Sequence, residues 1–243
     1  MNEFKKIIVL LICLFGIFQV TAQYKLSSHF EFGKTNVSNG LFISNSTFFD
    51  YQYKNCTAKF GIQFNILDQS YFPSFFTGIH ASLSQKIKIK KLNFNLQAIY
   101  FSNLFSNLIY EHNYALVEGL ELKHFSHKLG VHFRNIRFTQ VGVDQFGILE
   151  SRSIYELFNL VYLLKYNIMP KEHPWNIGIA LTNIDHFVIN QASNPMLYLD
   201  GKFKIKEKIN LYMETWLLRA GVMNISANHY GFYIRTGVLW DIK

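Results

Sequence analysis

Lys123-His124-Phe125-Ser126-His127 holds the spacing in this chain best suited to making a nucleophile. Residues two apart on a strand share a face, so the His124 imidazole could take the proton of the Ser126 hydroxyl. Glu118, Glu121 and Glu150 are available carboxylates, but no spacing puts one behind the histidine. No Cys/His pattern suggests a metal, and no cofactor is expected. A second group is basic: Lys86, Lys88, Lys90 and Lys91, then Lys202, Lys204, Lys206 and Lys208. Without a nucleic-acid-binding fold around them, these predict solvated turn rims beside lipid head groups, not nucleic-acid contacts. A third group alternates with apolar residues and carries both signs: His29, Glu31, Lys59, His80, Arg134, Lys165, Asp200, Lys202, Glu214, Arg235 and Asp241. Charges on the inside of a fold must be paired or hydrated.

The elements that would position these groups are strands. From His229 to Ile242 the sequence alternates strictly. Tyr230, Phe232, Ile234, Thr236, Val238, Trp240 and Ile242 fall on one side; Gly231, Tyr233, Arg235, Gly237, Leu239 and Asp241 fall on the other. Such period-two patterning is that of a strand with one apolar face. Eleven further strands are predicted at about Tyr24–Phe32, Leu41–Tyr53, Thr57–Ile66, Phe75–Gln85, Leu92–Ser102, Tyr110–His124, Leu129–Gln140, Tyr155–Ile168, Trp175–Phe187, Met196–Ile205 and Ile209–Leu218. Two of them slip phase. Glu118 shares a face with Leu116, Leu120 and Leu122, which suggests a bulge in the sixth strand. In the seventh, His132, Arg134 and Arg137 all point inward only if a bulge lies near Asn135. Val141–Ser153 is expected to be a long polar loop.

Composition and the first residues point to a membrane. Aromatic residues make up 17% of the chain and charged residues only 16%, against roughly 25% charged in ordinary soluble domains. No run of 18 apolar residues occurs, so helices do not span. Residues 1–22 carry a basic start (Lys5, Lys6), an apolar run from Ile7 to Val20 and a small-residue Val20-Thr21-Ala22 site, the pattern of a cleaved secretory signal. Cys13 lies inside the apolar run with no lipobox. Cleavage would leave residues 23–243 as one domain, lower the net charge from +8 to +7 and leave Cys56 as a lone thiol. An exported, aromatic-rich chain without a spanning helix must close its strands, since only helices and closed barrels satisfy every backbone group in lipid. The expected fold is all-β: a closed antiparallel transmembrane barrel of about twelve strands. Tight turns near Asn55, Lys88, His127, Lys171 and Glu207 would be periplasmic, and the longer connections outer loops.

On these features the chain resembles the broad class of bacterial outer-membrane β-barrels. Within it, IGIALTNI at 177–184 and MLYLDGKFKIKEKINLYMETWLLRAG at 196–221 resemble the later strands of PorP/SprF-type barrels, which belong to a bacterial secretion and gliding machine. That resemblance implies envelope proteins as partners. His124-x-Ser126 is similar to an element of barrel lipases and lipid A deacylases; where the deacylase pattern has asparagine after the serine, this chain has His127.

The leading expectation is a non-enzymatic outer-membrane barrel, either a narrow channel or a structural barrel, in contact with outer-membrane lipid. His80, Arg134, Lys165, Asp200, Glu214 and Arg235 are the candidate lumen-lining residues. Large inward groups at Tyr198, Tyr212, Trp216 and Tyr233 favour a constricted lumen. A secretion or assembly component and a lipid hydrolase using His124 and Ser126 are the alternatives.

Overall fold

The computed structural model describes residues 22–34, 41–69, 75–89, 92–105, 108–147, 153–169, 173–218 and 231–242. The expected signal segment, up to residue 21, lies outside them. Twelve strands run β1 (Gln23–Lys34), β2 (Leu41–Tyr53), β3 (Cys56–Asp68), β4 (Phe76–Ile89), β5 (Leu92–Phe105), β6 (Ile109–Glu121), β7 (Phe125–Phe138), β8 (Ser153–Asn167), β9 (Trp175–Thr182), β10 (Met196–Lys206), β11 (Ile209–Leu218) and β12 (Gly231–Asp241). Each pairs antiparallel with its neighbours in sequence, and β12 returns to β1 from Lys25 opposite Asp241 to Gly33 opposite Tyr233. Closure removes every sheet edge.

Alternation sorts the side chains. On β12, Phe232, Val238 and Trp240 face out, while Tyr233 and Arg235 are buried inside. Inward residues fill the interior as two apolar clusters. One centres on Phe48, Phe101, Val117 and Val161; the other holds Phe42, Met196, Tyr198, Trp216 and Tyr233. Gly61 makes room for the first: a Cβ there would lie 2.3 Å from the Phe48 ring.

Bulges occur, but not where the sequence suggested. β6 keeps one register with both neighbours, and Glu118 simply faces out near the turn at the end of the strand. The extra residue beside β7 lies on its partner β8. His132 pairs with Asn159 and Arg134 with Glu156, so Leu157 and Phe158 together oppose Phe133, and both are exposed. No phase change follows Arg134: Ile136 is buried and Arg137 faces out, contrary to the expected inward Arg137. A second bulge in β4 pairs Phe64 with Phe76 and Gln63 with Gly78. Thr77, which unbroken alternation with Ile79 and Ala81 would place outside, is therefore turned in, where its hydroxyl donates to Gln63 Oε1 at 3.2 Å.

Some connections differ as well. β4 continues to Ile89, so Lys86 and Lys88 sit on an exposed strand end, and β7 begins at Phe125, inside the expected turn. Part of the expected Val141–Ser153 loop is a short helix, α1 (Gln140–Phe146). The Thr139 hydroxyl caps it by accepting from the Gly142 N–H at 3.0 Å, and Gly147 ends it in the left-handed conformation that glycine adopts without strain. β9 stops at Thr182, five residues before the predicted Phe187, and the chain that follows turns into the barrel.

Candidate functional site

The side chain of Asn183 ends β9. Its Oδ1 accepts from the Tyr162 N–H at 2.8 Å and its Nδ2 donates to the Leu160 carbonyl at 2.6 Å, taking up groups on β8 that a further strand residue would pair. Thr182 reinforces the break: its hydroxyl donates to the Tyr162 carbonyl at 2.8 Å and accepts from the Ile184 N–H at 3.0 Å. The chain then forms a miniature hairpin. Ile184 and Ile189 bridge antiparallel, the Asp185 N–H donates to the Val188 carbonyl at 2.8 Å, and the Asn190 N–H donates to the Asn183 carbonyl at 2.8 Å. Ile184, Phe187, Val188 and Ile189 are buried.

This hairpin crosses the lumen and is held from several strands. Arg134 on β7 donates to the Ile189 carbonyl. Asn159 on β8 donates to the Asn190 carbonyl at 2.8 Å and accepts from the Ala192 N–H at 3.0 Å. On β4, His80 Nδ1 lies 2.7 Å from the His186 carbonyl, and Asn103 on β5 donates to the Phe187 carbonyl. The His186 ring packs on Phe48 of β2 at 4.6 Å and stacks on His29 of β1 at 5.8 Å.

Asp185, near the hairpin tip, meets the most charged point of the interior. Its carboxylate accepts from Arg235 Nη1 at 3.1 Å, from Arg235 Nη2 and from the Tyr233 hydroxyl at 3.0 Å. The same guanidinium donates to Glu31 Oε1 from Nε at 2.9 Å and Nη2 at 2.6 Å, and to Glu214 Oε2 from Nη1 at 2.7 Å. Three carboxylates thus converge on one arginine. The planar fork of a guanidinium is suited to this, since its five N–H groups point in fixed directions. Trp216 Nε1–H donates to Glu214 at 2.9 Å, and Tyr198, Trp216 and Tyr233 stack in a row with centroids 4.2 and 5.5 Å apart. Arg235 lies 5.3 Å from the Trp216 centroid, within cation–π reach.

The six candidate lumen residues divide into two sets. His80, Arg134 and Arg235 touch the hairpin directly, and Glu214 reaches it through Arg235. Lys165 and Asp200 pair with each other at 2.8 Å across β9, away from the hairpin. Gly178 lets them meet, because a Cβ there would fall 2.6 Å from Asp200 Oδ1 and 2.9 Å from Lys165 Cε. A cavity of about 250 Å3 adjoins the hairpin, with Lys59, Gln97, Lys128, Glu214 and Arg235 in its wall. Asp185, His186 and Phe187 were missed because Ile184-x-x-Phe187-Val188-Ile189 has the apolar content of a strand. The one signal against a strand is the run of Asn183, Asp185, Asn190 and Asn194.

The possible nucleophile is not assembled. His124 sits in the β6–β7 turn, with Nδ1 3.0 Å from the Asn167 carbonyl; a carbonyl partner requires that this nitrogen carry the proton. Ser126 pairs in register with Glu121 and Lys165, and no hydrogen bond joins it to His124. Among the described residues no cluster of His, Cys, Asp or Glu is arranged to hold a metal.

No protein-family model matches the chain, and no curated protein matches it, so the likeness to PorP/SprF-type barrels gains no support. Solved structures do match. The KdgM porin, solved in complex with disordered oligogalacturonate, is 9% identical with a TM-score of 0.53, over 90% of this chain and 99% of that one. An outer membrane channel from Pseudomonas putida F1 is 11% identical with a TM-score of 0.52, over 91% and 96%. The NanC porin is 10% identical with a TM-score of 0.50, over 89% and 98%. At these identities it is the fold that is shared: this chain is a twelve-stranded closed antiparallel β-barrel of the outer-membrane type.

Proposed function

We propose that the protein is an integral outer-membrane barrel without a catalytic site, acting as a narrow channel that its own β9–β10 hairpin closes. The observation that carries this reading is the anchoring of residues 184–190 from both sides of the lumen, by Arg235 on β12 and Arg134 on β7. A barrel that needed only filling could do so with apolar side chains. Here a backbone segment, besides burying Ile184, Phe187 and Ile189, is held by polar side chains of the surrounding strands, contacts that can break together and let it leave as a unit. By the length of the connections the hairpin enters from the outer side, and β1 begins and β12 ends at the periplasmic mouth.

In this reading His80, Arg134, Glu214 and Arg235 hold the closed state. Lys165 and Asp200 line the path below it, with Lys59 and Lys128 in the wall of the adjoining cavity. Small polar solutes are the permeants that such a lining admits. The test is solute flux into liposomes carrying the refolded chain, compared with a variant in which 184–189 is replaced by a Gly-Ser linker. Slow flux for the native chain and fast flux for the variant are expected. Equal flux would remove the hairpin from its role.

A further inference from the structure

The outer wall has a feature that a channel does not require. On β3, β4 and β5, three outward alanines lie close together: Ala81 opposite Phe60, and Ala58 and Ala98 both opposite Leu83. Between the flanking large side chains of Phe60, Leu83, Tyr100, Tyr114 and Leu116 they form the floor of a groove of about 910 Å3 on the lipid-facing surface.

The groove has a polar end. Tyr100, part of its wall, shares a 2.9 Å hydrogen bond with His112 Nδ1 on β6. The Tyr110 ring packs edge-on to His112 at 4.7 Å. Directly opposite Tyr110 on β7 stands Arg137, exposed, outward and with no carboxylate partner among the described residues. Register places Arg137 diagonal to His112, about 7–8 Å away. Asn135, directly opposite His112, buries its Oδ1 without a hydrogen-bond partner. A cation, an imidazole and an orphan amide oxygen are costly on a lipid-facing wall unless something satisfies them.

We propose that the groove and its polar end form a specific site for a phosphorylated acyl lipid of the surrounding membrane. One chain lies along the alanine floor, and the phosphate meets Arg137 and His112. Charge complementarity selects this occupant: an apolar protein segment would cover the alanines and leave Arg137 without a counter-ion.

Native mass spectrometry of the refolded chain, with dimyristoylphosphatidylglycerol and with dimyristoylglycerol as probes, tests the site. One phosphatidylglycerol should be retained through detergent stripping, and the phosphate-free lipid should be lost. Arg137→Gln should weaken retention by about tenfold, the value of one charge-assisted hydrogen bond, and Ala98→Phe should do so by filling the floor. Both changes are on the lipid-facing surface, and heat-modifiable gel migration reports whether each barrel has closed. Equal retention of the two lipids, or unchanged retention in either folded variant, would overturn the proposal.

Discussion

Replacing Asp185 by asparagine is the sharpest perturbation of the closed state, because the barrel wall survives it. Arg235 keeps Glu31 at 2.6 and 2.9 Å and Glu214 at 2.7 Å, so no buried charge is stranded. Removing Arg235 instead would leave three carboxylates facing one another, and its effect on folding would mask any effect on the hairpin. Asp185→Asn weakens only the hairpin's grip: the negative charge is lost and one accepting oxygen becomes an NH2 that cannot accept from Arg235, while the other oxygen still accepts. Hydrogen bonds to charged groups contribute about 1.5–3 kcal/mol each, and neutral ones about 1 kcal/mol. The net loss is therefore about 1–2 kcal/mol, or roughly a five- to thirtyfold rise in the open population. Planar-bilayer recording reads this as open probability. Asp241→Asn is the control: it disrupts a half-exposed pair with Lys25 at the turn-side mouth and should leave gating unchanged. A folded Asp185→Asn barrel with the open probability of the native chain would refute the latch.

Other outcomes follow from the same contacts. Arg134→Gln weakens the grip on the Ile189 carbonyl and removes the cation that stands 3.7 Å from the buried Glu111 carboxylate; the unfolding midpoint in urea should fall, by an amount corresponding to about 1.5–3 kcal/mol, the contribution of a hydrogen bond to a charged group. Gly61→Val drives its side chain into the Phe48 ring, which supports His186. The hairpin should loosen, and a Phe187→Cys thiol should label faster in a Cys56→Ser background. Ser126→Ala should leave conductance, folding and any lipid turnover unchanged; lost lipid hydrolysis in this variant would reinstate the catalytic alternative.

Much of the barrel was legible because its physics repeats every two residues. Lys59, Tyr198, Trp216, Tyr233 and Arg235 could be placed inside from alternation alone, as lipid on one face and a packed interior on the other enforce it. What alternation cannot locate is an extra residue. β7 itself alternates without a break through Arg134, Ile136 and Arg137; the extra residue lies on β8, where Leu157 and Phe158 together oppose Phe133, and nothing within β7 could reveal that. The Thr77 bulge was hidden for a related reason: threonine is tolerated on either face. The hairpin was lost to a different ambiguity. Ile184, Phe187, Val188 and Ile189 satisfy burial against a lumen wall as readily as exposure to lipid, so an apolar run does not say which it faces. The inward charges could be assigned to the interior but not to all their partners: Glu214 faces Arg235 across neighbouring strands, but Glu31 reaches it only through ring closure and Asp185 only through the inserted hairpin.

The most direct test of the closed channel is single-channel conductance of the refolded chain beside a variant whose residues 184–189 are replaced by a Gly-Ser linker. Rare or small steps for the native chain, with large, long-lived, salt-dependent steps for the variant, are predicted. Two barrels with the same conductance, or a variant as silent as the native chain, would contradict it.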